Sequence, residues 1–576
     1  MPNRTTALLL LALLPLGACG GDGGSASAAS EFCRDSLARV EAFMEEKRGS
    51  PPADERYGGT VVVGSIGEIA EGMNGLVSAD YTASQHQSFV NLMTLIQYDE
   101  GLNPIPYLAR SWEVSEESRE ITFHLRDDVY WHDGERTTAR DVEFTYLRVT
   151  DPRTGFPNDA FWTNYIRGAE GVEVMDDFTV RIRMEPHGEF LDPWRSLAIM
   201  PHHLLGDVPP ESLRQHPFGL RCPVGNGPFR FVEHRHDESW TFAPNHAFPQ
   251  ELGGRPFVDR YVYRVIPEPT TLLTELLTER LDVYIAPRPE QTQAILDSPV
   301  TELLAYPFRS YVYVGWNSRR PQLADARVRR ALTLATDRGR IVQALRQGYG
   351  TVANTSVPPF HWAYYPELAD SLSYNPAEAN RLLDEAGWTD RAPDGVRRNA
   401  DGLRLEFSIK YNQGNEERRD IAEIMQSQLR EVGVAVRPQV VEWATLLSQL
   451  QSVGRDFDGV VMGWVTEFRV DDTDLFHSDK IDDPYAFSGT RNPTLDRLME
   501  SLPLVVDRTE AAPLWREYQY EILREQPYTF VYFQDRLDGV NTRLRGVTMD
   551  ARGEWINIKD WWIDPARRGG TTAASR

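Results

Sequence analysis

The sequence predicts an α/β protein of two or three domains, and three observations carry that expectation. The chain is 576 residues long, more than one core usually organises. Alternating runs of strand type are interleaved along it with stretches of helical spacing. With 41% hydrophobic and 25% charged residues it has the makeup of ordinary globular material.

The core begins at Gly58-Gly59-Thr60-Val61-Val62-Val63-Gly64, a β-branched run bracketed by glycine that predicts a buried strand. A helical stretch follows over Gln85 to Gln97, then the alternating strand Ile121 to Leu125, the turn His132-Asp133-Gly134 and a helix over Ala139 to Leu147. Val180 to Met184 and Tyr261 to Ile266 alternate as strands do, whereas Thr270 to Glu279, Val328 to Leu345, Pro376 to Ala386 and Arg418 to Glu431 have helical spacing. Gly387 and Gly433 stand where a glycine C-cap ends a helix. Gly225-Asn226-Gly227-Pro228 reads as a bend that a side chain would obstruct, and Arg567 to Arg576 as a frayed tail. Arg327, Arg329 and Arg330 read as a solvated or ion-paired helix face.

Charge and the amino terminus narrow the class. The 61 basic and 85 acidic residues give a net charge of −24, which argues against a nucleic-acid partner, since phosphate binding needs a basic face. Arg4, the apolar run Ala7 to Leu14 and the small residues before Cys19 predict a signal peptide over 1–18. Its Leu16-Gly17-Ala18-Cys19 ending resembles the bacterial lipobox, which implies cleavage before Cys19, lipidation of that cysteine and attachment to the membrane, with Gly20 to Ser30 as a flexible tether. No later window approaches eighteen consecutive apolar residues. Setting Cys19 aside leaves Cys33 and Cys222, an even pair in an exported chain and therefore expected to be bridged, two buried free thiols being the alternative. A bridge would pin Glu31 to Arg56, with a short helix around Leu37, Val40 and Met44, onto the body.

Several motifs extend over nearly the whole chain: Gly59 to Gly64, Met73-Asn74-Gly75-Leu76, Pro106 to Ser115, Thr122 to Val129, Trp131-His132-Asp133-Gly134, Thr138 to Val142, Gly225 to Phe229 and Asp325 to Leu332. From about Gly58 to Trp562 the sequence resembles the extracytoplasmic solute-binding proteins of the oligopeptide, dipeptide and nickel ABC importers, solute-binding protein family 5. That resemblance implies a two-lobed periplasmic-binding-protein fold of class II type, α/β and in three domains, with the ligand cleft between lobes. The expected division is 57–97, 221–316 and 525–565 for lobe I, 98–220 for an inserted domain II and 317–524 for lobe II. Residues 19–56 form the lipidated tether and short helix, and 566–576 the tail. The implied protein is a monomer without cofactor. It captures a peptide by hinge closure and delivers it to membrane permease subunits from the periplasmic side or the cell surface.

The same resemblance nominates the cleft residues. Peptide-binding members have a Gly-Trp-x-x-Asp segment whose Asp pairs with the peptide ammonium and whose Trp shapes a side-chain pocket. Here the matching stretch is Gly463-Trp464-Val465-Thr466-Glu467, with the acid one methylene longer. Asp471, Asp472 and Asp474 follow closely and are open alternatives for that pairing. Trp443 matches a pocket tryptophan, Tyr532 falls near an aromatic position on the returning chain, and Asn74 lies in a loop that meets ligand through its backbone. Aromatic walls suit variable side chains, because they offer apolar area without demanding one hydrogen-bond pattern.

Other classes find less support. The sequence has no Gly-x-Ser-x-Gly elbow, phosphate loop or His-Glu-x-x-His helix, so no catalytic residues are nominated. His202-His203 and His234-x-His236 are the tight histidine groupings and read as surface residues, so no metal ligands are nominated. An oligosaccharide or other small solute in the same fold is the principal alternative, a nickel complex or an exported hydrolase lesser ones.

Overall fold

The structure, a computed structural model, describes residues 23–49, 53–70, 72–78, 80–157, 168–185, 187–188, 190–466 and 468–570. Cys19 and the signal segment lie outside them, as does Glu467. An eleven-stranded sheet organises the chain. Its strands are β1 (Thr60–Ser65), β6 (Phe229–Arg235), β7 (Ser239–Pro244), β8 (Arg260–Val265), β9 (Val283–Ile285), β10 (Thr301–Trp316), β11 (Gly350–Val352), β12 (Glu406–Asn412), β13 (Ala435–Val441), β14 (Gly459–Val465) and β15 (Tyr528–Asn541). They follow the order β13-β12-β14-β10-β15-β9-β1-β8-β7-β6, with β11 also paired to β15.

The predicted strand at Thr60 is central. β1 pairs in parallel with β8 and β9, and Val61 and Val63 point into a core with Tyr261, Tyr263 and Trp555. A Cβ at Gly64 would stand 2.5 Å from Leu281 Cδ1, so only glycine lets the helix Pro269–Leu277 and its following loop lie this close. A separate antiparallel sheet, β2 (Ala109–Val114), β3 (Glu120–Leu125), β4 (Val172–Asp176) and β5 (Thr179–Arg183) in the order β2-β3-β5-β4, forms a second body around Phe123, Trp131 and Trp194.

The two lobes share β10 and β15. Thr301 to Pro307 pair with Asn541 to Asp535, and Tyr311 to Gly315 with Phe533 to Tyr528. Between these ladders, from Pro307 to Tyr311, the register shifts, and Pro307 itself has no N–H to donate.

Most predicted helices form, with informative differences. Gly387 and Gly433 both have left-handed φ, +87° and +84°, as helix-ending glycines do. The stretch from Val328 is two helices, Ala326–Leu334 and Arg338–Arg346, because Asp337 caps a new one by accepting from Arg340 N. The stretch over Gln85 to Gln97 is helical only from Tyr81 to Asn91 and ends in a wide turn in which Leu92 N donates to Gln87 O. Asn91 is then buried under the Gly225-Asn226-Gly227 bend, where a Cβ on Gly225 would lie 1.7 Å from Asn91 O. Arg329 is not solvated: it is buried and donates to the Glu525 carboxylate and to four backbone carbonyls. The tail reading is corrected over its first residues, since Arg567 donates to Glu279 and Thr542.

The helix at the amino terminus, α1 (Gly23–Lys47), is longer than its sequence reading. Cys33 is disulfide-bonded to Cys222, 189 residues away, with Cα atoms 5.3 Å apart. Val40 and Met44 join the apolar core of the second body, Phe43 packs on Gly134, and Glu41 accepts from Arg230 at 2.6 Å. Cys222→Ser is expected to lower stability by roughly 2–4 kcal/mol and to expose the segment after α1 to proteases, measured by denaturant unfolding and limited proteolysis.

Candidate ligand-binding cleft

β12 runs parallel to β13 and β14, so the three strands end on the same side of the sheet, at Asn412, Val441 and Val465. Carboxyl ends of parallel strands are where open α/β sheets hold ligands, because the loops diverge there and leave a crevice. Three of the nominated residues sit on this rim. Trp464 is half-buried on β14 with its ring 5.8 Å from that of Tyr485, and Val465 is exposed beside it. Trp443 opens the helix α3 (Trp443–Gln451), is 42% exposed, and is set by Glu442, whose carboxylate caps Ala444 N and Thr445 N.

Gly463 has a role visible only in three dimensions. A Cβ there would lie 3.7 Å from Arg418 Nη2, and Arg418 stands 5.8 Å above the Trp443 ring. Arg418 belongs to the first turn of α2 (Glu416–Glu431), and its Nη1 donates to Asn412 at 2.8 Å. Burial lowers its pKa, and no carboxylate lies within 4 Å of it among the described residues. The rim therefore presents a desolvated cation over the Trp443 ring, a setting that suits an anionic group. Sequence reasoning placed Arg418 in a helix but had no signal for this position.

Tyr532 and Asn74 face inward. Tyr532 is fully buried on β15 and donates to Glu417 at 2.6 Å, and burial pushes its phenol pKa well up. Asn74 is buried too, donating to Leu213 O and accepting from Leu76 N, so its amide shapes its own loop.

The loop after β14 joins the lobes. Thr466 N donates to Arg309 O, and the Phe468 ring lies 4.6 Å from the Arg195 guanidinium and 4.9 Å from that of Arg309, with Tyr98 and Phe360 around it. Phe468 and Tyr98 belong to the apolar core of the second body, and Phe360 packs against it. The segments around the four-stranded sheet also meet later parts of the chain where Gly188 N donates to Pro503 O and Arg508 to Leu102 O. Beside these contacts a small pocket is lined by His187, Trp362, Asp472, Val505 and Trp515.

Of the three acids following Glu467, Asp471 and Asp474 are exposed, whereas Asp472 is buried and accepts from Ser356 Oγ and Tyr518 Oη. Desolvation raises its pKa to about 6 despite both donors. Among the described residues no helix is long and apolar enough to cross a membrane.

Two lobes sharing long strands, with a loop-lined crevice between them, define a two-lobed binding protein of the periplasmic type. The chain belongs to the bacterial extracellular solute-binding proteins, family 5, whose middle-region model matches residues 103–480. It is 31% identical over 575 residues to oligopeptide-binding protein AppA of Bacillus subtilis, covering 98% of this chain and 100% of that one. The structure of AppA in complex with a nonapeptide superposes with a TM-score of 0.70 at 31% identity, covering 88% of this chain and 99% of that one. Heme-binding protein A of Haemophilus influenzae is 26% identical over 82% of this chain and 86% of its own. NikZ of Campylobacter jejuni in complex with Ni(L-His), at 24% identity and a TM-score of 0.69 over 87% of this chain and 99% of that one, shares the fold.

Because the pKa of Asp472 is raised on folding, the native state holds its proton more tightly than the unfolded chain between about pH 4 and 6. Stability from this group is present below that window and is lost as pH rises through it. The stability of the wild type relative to Asp472→Asn is expected to fall by up to about 3 kcal/mol between about pH 4 and 7, measured by denaturant unfolding at each pH.

Proposed function

We propose that this protein captures peptides between its lobes and delivers them to an ABC importer. One observation carries the reading: full-length identity of 31% to AppA, whose structure was solved with a nonapeptide. The rim is consistent with it, since Trp443 and Trp464 offer apolar faces and Arg418 offers a cation for a carboxylate. Glu467, between the anchored residues Thr466 and Phe468, supplies the carboxylate for the peptide ammonium. Desolvation in a closed cleft strengthens both pairings.

Closure bends β10 and β15 at the irregular stretch between Pro307 and Tyr311, where the ladder is already interrupted. In this reading lobe I comprises 57–97, 221–316 and 525–565, the inserted domain 98–220 and lobe II 317–524. Cys19 holds the protein at the outer face of the membrane through lipid. The protein acts as a monomer and as a carrier, not a catalyst.

Native mass spectrometry of protein purified from its own host, followed by denaturation, is expected to release a mixed set of short peptides. Glu467→Ala should lose them, and Arg418→Gln should weaken binding of a released peptide by at least about tenfold in calorimetry. Release of a sugar or a metal complex, or protein that is always empty, would overturn the peptide assignment. Cys19→Ala should move the protein from the membrane fraction to the soluble fraction.

A further inference from the structure

At the edge of the sheet farthest from β13, β6 and β7 form a hairpin with His234 near the end of β6 and His236 in the turn. The start of the turn brings the two imidazoles near each other, with ring centroids 6.2 Å apart and the planes 78° apart. Glu68, in the loop after β1, reaches the same place, and one ligand atom from each of the three residues lies within 4.8 Å of the others. We propose that Glu68, His234 and His236 form a binding site for a divalent transition-metal ion of the zinc class.

The orientation of His234 carries the argument. Its Nδ1 lies 2.9 Å from Leu220 O, a carbonyl that can only accept, so the ring proton sits on Nδ1. In the neutral ring Nε2 is then the lone pair, and it is buried with no hydrogen-bond partner among the described residues. A metal-bound histidine characteristically has this arrangement, with the second nitrogen donating to a backbone carbonyl. Nε2 is 3.6 Å from Glu68 Oε1, too long for a hydrogen bond.

The surroundings hold the other ligands. Trp240 Nε1 donates to Glu68 Oε1 at 2.5 Å, Ile69 N to the same oxygen, and Asp237 N to Oε2 at 2.8 Å. These three donors fix the carboxylate and fill Oε1, so the acceptor position left for an ion is on Oε2. The Trp240 ring stacks on His234 at 3.9 Å, which prevents the imidazole from turning away. His236 is 80% exposed, so water can complete the coordination. Two imidazoles and a carboxylate suit zinc, nickel or copper better than calcium or magnesium. Glu68 also begins the loop that leads to Met73–Leu76, so an ion would tie that loop to the hairpin.

Calorimetric titration of the untagged protein with zinc chloride alone tests the site. One ion per chain is expected, with affinity at least about tenfold lower in His236→Ala. Zinc should raise the melting temperature of the wild type and not of that variant. His236 is exposed and contributes nothing to the core, so the variant should melt like the wild type without metal. No saturable binding, or equal affinity in the two proteins, would overturn the site. A His234 protonated and merely paired with Glu68 would give the first of these results.

Discussion

The ladder between Thr301–Trp316 and Tyr528–Asn541 is the constraint on which the rest depends. Among the described residues its strands are the one pair long enough to serve both lobes, and their backbone groups leave water only if the two partners meet in register. Every other large piece of the sheet is attached to them, with β9 and β1 on one side and β14 and β12 on the other. The interruption at Pro307 therefore falls between the two ladders, where the register shift leaves few hydrogen bonds to disturb.

Buried charge reinforces this frame. Arg543 pairs with Asp282 at 2.6 Å and 3.0 Å, and Asp282 also accepts from Val62 N, so the ion pair ties β1 to the chain leaving β15. Arg329 does the same at the other end, joining a helix to Glu525 and Gln526 just before β15 begins. Such pairs gain little over apolar packing, but losing one partner leaves an uncompensated charge, so they penalise any other arrangement of these segments. The rim of the cleft is built on the opposite principle, since Arg418 is desolvated and, among the described residues, its guanidinium donates only to neutral acceptors. A fold that pairs Arg543 and Arg329 with carboxylates and sets Arg418 against neutral groups has a polarity suited to an anionic guest.

The loop after β14 links these two themes. Phe468 fastens it between Arg195, Arg309, Tyr98 and Phe360, and Asp472 fastens it again through Ser356 and Tyr518. The segment from Phe468 to Asp472 is therefore held at two points.

By itself the sequence determined what depends on near neighbours. The β-branched run at Thr60, the caps ending at Gly387 and Gly433 and the Gly225–Pro228 bend are local matters of sterics and periodicity, and all were legible. Motif resemblance supplied the family and the rim tryptophans. Tertiary structure alone decided which distant segments meet: the burial of Arg329, the division of the helix after Val328, the setting of Arg418 under Gly463 and Trp443, and the meeting of Glu68 with His234 and His236. The physical reason is that burial, desolvation and ligand geometry are properties of surroundings. Those surroundings come from residues far away along the chain, to which no local periodicity points.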